Sequence, residues 1–155
     1  CALPIYTRRS IYTFWRRTVG PANMFDASSR QACKVKPSTT NTPLHALTTL
    51  NDKTWTEASR MLAEKAMLEE KDTDARLAFA FRRILARLPK DAELVVLRKV
   101  LEGQREHYRK DNDAAKKLLA VGESPRNEKL DAADHAAMTA VVSALFNLDE
   151  ALTRE

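Results

Sequence analysis

Three histidines and two cysteines are the side chains best suited to metal binding or nucleophilic chemistry in this sequence: His45, His107, His135, Cys1 and Cys33. Metal sites built on one local segment repeat their ligands a few positions apart. No histidine here lies four residues from another His or Cys, and the chain contains no CxxC, HExxH or CxxCH. Distant groups would have to converge to hold zinc, so the chain itself is expected to carry no transition metal and no covalent haem. Cys33 as a nucleophile would need a base, and His45 is separated from it by an irregular stretch. Cys1 and Cys33 could pair with each other in an oxidising compartment; Cys1 could equally pair elsewhere or stay free, because geometry and not number decides. There is no GxSxG elbow and no Gly-rich phosphate loop. Glu69-Glu70 and Asp149-Glu150 are adjacent on helical segments, where neighbours do not face each other, so they are poor acid/base pairs.

The remaining candidates lie near the amino terminus. Residues 8–18, RRSIYTFWRRT, set Arg8, Arg9, Arg16 and Arg17 around Tyr12, Phe14 and Trp15. Guanidinium groups stack on rings and pair bidentately with carboxylates, which suits an interface. The same mixture resembles a platform for single-stranded nucleic acid, although cation–π packing of Arg on aromatic rings is common in ordinary proteins. Asp26, Arg30, Asn41 and His45 complete the set of candidate interface or ligand residues. No catalytic, cofactor-binding or metal-binding residue is assigned.

These side chains are positioned by a junction at Thr39–Asp52, TTNTPLHALTTLND. Thr42 can cap a helix whose first residue is Pro43, where the missing donor is harmless and φ is already suitable. Leu44, Leu47 and Leu50 recur on one side. Asn51-Asp52 ends that helix and caps the next. The junction reads either as a helix–loop–helix core element or as a groove lined by Asn41, Thr42 and His45.

The 155 residues suffice for one domain with a real core. Three glycines, with abundant Ala, Leu, Lys, Arg and Glu, favour helices over sheets. The expectation is an all-α, irregular helical bundle over 43–155, preceded by a loop-rich basic segment at 1–42. No apolar run approaches the roughly 20 residues of a membrane span. The chain starts at Cys1 and not Met. A piece of a longer protein is the preferred reading, a processed lipoprotein the alternative. The net charge of +5 is uneven: residues 1–60 carry +6 and the rest −1. A basic third could contact nucleic acid or an acidic neighbouring domain.

Along the chain, residues 8–18 read as a helix or turn, with an alternating strand the rival, and Asp26 opens a short helix to about Cys33. The helix after Asn51 carries Trp55, Ala58, Met61, Leu62, Lys65 and Leu68 on its apolar side. The next, capped at Asp72, buries Leu77, Ala78, Phe81, Ile84, Leu85 and Leu88, leaves Arg76, Arg82, Arg83 and Arg87 to solvent, and ends at Pro89. A helix from Lys90 or Asp91 turns Leu94, Val95, Leu97, Val100, Leu101 and Tyr108 inward, despite Gly103. Asp111-Asn112-Asp113 interrupts that helix or caps the next, a short helix at 113–121 that stops at Gly122 in a left-handed conformation. Asp131 caps a last helix whose stripe, Met138, Val141, Val142, Leu145, Leu148 and Leu152, is the most continuous and belongs at the centre. No internal repeat marks a solenoid.

The segments RRSIYTFWRRTV, FDASSRQACKV and TNTPLHALTTLND, followed by LLAVGESP and ALFNLDEALTRE, resemble the C-terminal domain of unknown function of planctomycete-type multidomain cytochrome c proteins. The likeness covers almost the whole chain from about Arg8. It implies an extracytoplasmic parent, periplasmic or secreted, whose haem sits in a separate amino-terminal module, beside a second domain of unknown function and sometimes a carbohydrate-binding-like module. His45 stands where that family more often has Gln. On this basis the chain reads as a non-catalytic module docking against other domains of its parent. The alternative is a contribution to a substrate pocket, with carbohydrate the substrate class. Nucleic-acid binding is the least favoured reading, because it conflicts with the implied compartment.

Overall fold

A computed structural model describes residues 43–152, apart from the side chains of Pro43, Leu44, His45 and Thr48. Within that range the chain is all-α: α1 (Pro43–Asn51), α2 (Lys53–Glu69), α3 (Thr73–Leu85), α4 (Asp91–Lys110), α5 (Asn112–Leu119), α6 (Ala132–Phe146) and α7 (Asp149–Leu152). The starts follow the capping residues read from sequence. Asp52 accepts from the Thr54 and Trp55 amides, at 2.8 and 3.3 Å. Asp72 accepts from Asp74 and Ala75, Asp111 from Ala114, and Asp131 from Asp134. Each satisfies donors that the first turn of a helix leaves unpaired.

α6 is the centre, as its apolar sequence suggested, and touches each of the other six helices. Its Ala137, Met138, Val141, Val142 and Leu145 share one buried cluster with Ala63 and Ala66 of α2, Leu77, Ala80 and Phe81 of α3, and Leu101 of α4. Ala136 joins Ala115 and Leu119 of α5 in a smaller one. Trp55 meets Phe146 edge to face at 5.5 Å.

Several boundaries and faces differ from the sequence reading. α3 ends at Leu85, with Ala86 left-handed at φ 58°. Pro89 disfavours helical geometry in the residue before it, and Leu88 is accordingly 66% exposed instead of buried. α5 ends at Leu119, so Gly122 does not stop it; the last turn closes by Ala120 N–H to Lys116 and Val121 N–H to Leu118. The final stripe is broken after Phe146, where Asn147 and Leu148 N–H groups bond three residues back to Ala144 and Leu145, a tighter turn that rotates Leu148 outward.

On α2 the buried face holds Ser59, Arg60, Ala63 and Ala66, while Met61 and Leu68 are exposed and Lys65 pairs with Glu69 at 3.6 Å. Alanines on both α2 and α6 allow these helices to approach closely, and that selects the small-residue face over the larger apolar one. On α4, Leu101 is buried and Leu94, Leu97 and Tyr108 pack on the core, but Val95 and Val100 are exposed. On α1, Thr49 turns inward and Leu47 and Leu50 outward.

Gly103 lies on the exposed side of α4, with nothing within 4 Å of where a Cβ would be. Among the described residues nothing requires glycine there. Gly103→Ala is expected to raise the unfolding free energy by about 0.5–1 kcal/mol, measurable by urea denaturation.

Candidate functional site

The densest polar constellation is built on one face of α2. Glu57, Arg60 and Glu64 are spaced so that a helix stacks them along one side. They meet the loop between α5 and α6. The Ser124 amide donates to Glu57 Oε1 at 2.8 Å, and Arg60 Nη2 donates to the Ser124 carbonyl at 2.7 Å. The Asn127 amide donates to Glu64 Oε2 at 3.0 Å. Gly122, at φ +108°, lies so close to Glu57 that a Cβ would sit 2.6 Å from the carboxyl carbon. Here glycine is required twice, by the backbone angle and by the close approach. The GESPRN segment is thus held against α2 by carboxylates that accept its amides.

Arg60 has no exposed surface. Besides Ser124, its Nη2 lies 3.7 Å from Glu57 Oε1, a loose ion pair. Its Nε and Nη1 have no hydrogen-bond partner. His135 of α6 is equally buried, with its Nε2 3.2 Å from the Arg60 carbonyl. Only an N–H can bond a carbonyl, so the neutral ring carries its proton on Nε2 and leaves Nδ1 as an acceptor. Nδ1 has no partner. The Ser124 hydrogen bonds hold the Glu57 carboxyl below its ordinary range. Burial pushes the His135 imidazole below its ordinary 6.5, against the opposing effects of the Arg60 carbonyl and Glu64; Arg60 and Arg126 reinforce the fall.

A histidine with a depressed folded-state pKa takes up its proton more readily when unfolded. Its neutral burial therefore costs nothing above about pH 6.5, and stability is lost as pH falls below that value. The melting temperature is expected to fall between pH 7 and 5, and His135→Gln should flatten that dependence. Calorimetry across the range tests it.

A second constellation surrounds Arg87. Its guanidinium donates to Glu150 at 2.6 and 2.7 Å and to Glu93 at 2.9 and 2.8 Å, and stacks 4.8 Å from the Phe81 ring centre. Glu93 also accepts from the Lys90 amide at 2.6 Å. These bonds hold the Glu93 carboxyl down to about 2 and lower that of Glu150. Arg87 was read as part of a solvated arginine row; it is instead the clasp joining the α3–α4 turn to α7. Arg98 similarly pairs with Asp74, and Arg105 and Arg109 both approach Asp134, at 3.3 and 3.4 Å.

Of the residues singled out from sequence, Arg8, Arg9, Tyr12, Trp15, Arg16, Arg17, Asp26, Arg30 and Asn41 lie outside the described residues, as do Cys1 and Cys33. His45 falls within α1, its side chain outside the description. The histidines that are described do not converge: His135 is buried, and His107 is exposed beside Tyr108, ring centres 5.1 Å apart. Among the described residues no three His, Cys, Asp or Glu side chains gather as a metal site would require. The Arg60 constellation was missed, although Glu57, Arg60 and Glu64 repeat at helical spacing.

Two of the segments that resembled a known family bond to each other. Thr49 of TNTPLHALTTLND donates to Asn147 of ALFNLDEALTRE at 2.9 Å, and Glu57 and Arg60, which follow the former segment on α2, hold VGESP. Fold and joins together define an all-α domain whose motif residues, where described, knit its helices. The chain belongs to the PSD1 family, described as a protein of unknown function (DUF1553), which matches residues 5–101. No curated protein and no solved structure matches it significantly.

Proposed function

We propose that this domain is a non-catalytic docking module of an extracytoplasmic, multidomain cytochrome c-type protein, and that it docks through α1 and the basic segment that precedes it. The observation that carries this reading is the exposure of Leu47 and Leu50, 57% and 46%, on the helix that directly follows residues 1–42. Apolar side chains grouped on an exposed helix face mark contact with a partner more often than chance scatter does. The Arg8–Arg17 segment adds guanidinium groups and aromatic rings, which serve interfaces well. Haem in such a protein belongs to another module. The described arginines and carboxylates support the same reading, since Arg60, Arg87 and Arg98 are engaged with this domain's own groups.

The test compares the parent protein with the 155-residue chain, each carrying Leu47→Ser with Leu50→Ser, or Arg16→Ala with Arg17→Ala. Docking through this surface lowers the melting temperature of the parent and leaves that of the separate chain little changed. Wild-type melting of the parent variants would overturn it. Tight, steeply salt-dependent binding of single-stranded DNA or RNA would assign the basic segment to nucleic acid instead, and saturable oligosaccharide binding would favour a substrate pocket.

A further inference from the structure

The loop at 121–131, between α5 and α6, is tied across to α2 by side chains of α2. The Ser124 amide donates to Glu57, the Ser124 carbonyl accepts from Arg60, and the Asn127 amide donates to Glu64. His135 stands just beyond the loop, in the first turn of α6, where its amide bonds to the Asp131 carbonyl. Its ring is fully buried, with Nε2 3.2 Å from the Arg60 carbonyl. Arg60 therefore links the two: its guanidinium holds the loop, and its carbonyl holds the imidazole.

The ring sits where a proton on Nδ1 is unwelcome. Nδ1 is buried without a partner, so protonation would create a donor with nothing to accept it. The first turn of a helix also disfavours a cation. On α2, Arg60 opposes the proton and Glu64 favours it; on the loop, Arg126 opposes it. On α6 itself, Asp131 caps the turn and Asp134 meets Arg105 and Arg109 of α4. α4 also brings Tyr108, whose phenol burial pushes above its ordinary range, so it stays neutral in acid. α5 meets α6 through Ala115 and Leu119, and α3 through Leu77, Ala80 and Phe81. α1 joins the far end of α6, at Asn147, and α7 follows it there. Among the described residues, the carboxylate placed to answer an imidazolium is thus Glu64, and Glu64 already holds the Asn127 amide.

We propose that residues 121–131 form a latch released by one proton: His135 takes it up from solvent on Nδ1, Glu64 leaves the Asn127 amide for the imidazolium, and the loop comes away from α2 while the helices stay folded. The opened loop lets water reach the ring, which then holds the proton more tightly than in the closed form, so acid favours opening. Glu57, whose carboxyl Ser124 holds below its ordinary range, adds to the effect only at lower pH. The latch is independent of the surface assigned to interdomain docking.

Hydrogen exchange of the 155-residue chain, followed amide by amide between pH 7 and 5 at several low urea concentrations, tests the proposal. Protection at Ser124 and Asn127 is expected to fall below about pH 6.5, by up to about tenfold per pH unit, the limit for one proton. It should hardly change with urea, because a local opening exposes little surface. Val141 and Val142, at the centre of α6, should keep a far larger protection that declines steeply with urea. His135→Gln retains an N–H for the Arg60 carbonyl but takes up no proton, so its loop amides should be equally protected at pH 7 and pH 5. Loop amides that match Val141 and Val142 in protection and urea dependence overturn the proposal, because the loop then opens only by unfolding. So does wild-type loop protection that ignores pH, or loop protection that keeps its pH dependence in His135→Gln. The first two outcomes are read on the wild-type chain, so they decide the matter even where the variant does not fold.

Discussion

Replacement of Arg60 by alanine is expected to lower the unfolding free energy by about 3–4 kcal/mol, the sum of a cavity in place of a large buried side chain and a carbonyl left unpaired. The side chain has no exposed surface, its Nη2 is the donor to the Ser124 carbonyl, and it is the cation beside Glu57. Alanine removes all of these together. Arg60→Met separates the contributions. It fills most of the space without bringing a charge into the interior, and it also removes the donors on Nε and Nη1 that have no partner. Replacing a buried ionic group by an apolar one of similar volume is often close to neutral, so Met should recover most of the loss. The recovery should be incomplete, because Ser124 still loses its donor. Urea denaturation of the three proteins gives the free energies. Amide exchange at Ser124 and Asn127 reports whether the 121–131 loop has come away from α2. If Arg60→Ala unfolds like the wild type, the guanidinium is not the anchor of that loop.

The legibility of this chain in its sequence follows a physical division. Helix starts were legible because a cap is a local event: Asp52, Asp72, Asp111 and Asp131 each bond amides two or three residues ahead. The central position of α6 was legible because a helix apolar on nearly all sides has no stable place at the surface. Helix faces were less legible. On α2 the larger apolar residues, Met61 and Leu68, lost to Ser59, Arg60, Ala63 and Ala66, because closeness to α6 depends on side-chain size on both partners. Periodicity in one helix carries no information about the other. Arg60 is the extreme case: a guanidinium belongs inside only where a loop supplies a carbonyl, and that loop is more than sixty residues away in sequence. The VGESP segment was recognisable, but its purpose was not, since Gly122 and Ser124 acquire their roles only against Glu57. Of the candidate interface residues, only His45 lies inside the described range, so the structure's contribution to the site comes from groups to which the sequence reading gave no role, such as Glu57, Arg60 and Glu64, or, for Arg87, a place on the solvent side.

The sharpest test of where the core ends lies at the α6–α7 break. Leu145 and Leu148 stand in one continuous stripe when the sequence is read as a single helix. In the structure Leu145 is 2% exposed within the main cluster, and Leu148 is 41% exposed beyond the break. Leu145→Ala should therefore cost about 2–5 kcal/mol, the range for emptying a buried leucine site. Its place near the end of α6 argues for the middle of that range, because a helix end relaxes into a cavity more readily than a helix centre does. Leu148→Ala should change stability by no more than about 0.5 kcal/mol, as at an ordinary exposed position. The cause of the difference is Asn147. Its side chain accepts from the Thr49 hydroxyl of α1, and its backbone turns the chain tightly before α7 begins. Asn147→Ala removes the acceptor and offers a better helix former, so the last helix is then freer to continue through residue 148. Chemical denaturation of Leu148→Ala in the wild-type and Asn147→Ala backgrounds makes the comparison. A larger cost in the Asn147→Ala background would show that Asn147 keeps Leu148 out of the core. Equal costs for Leu145→Ala and Leu148→Ala in the wild-type background would mean that the helix runs on unbroken and that Leu148 is buried.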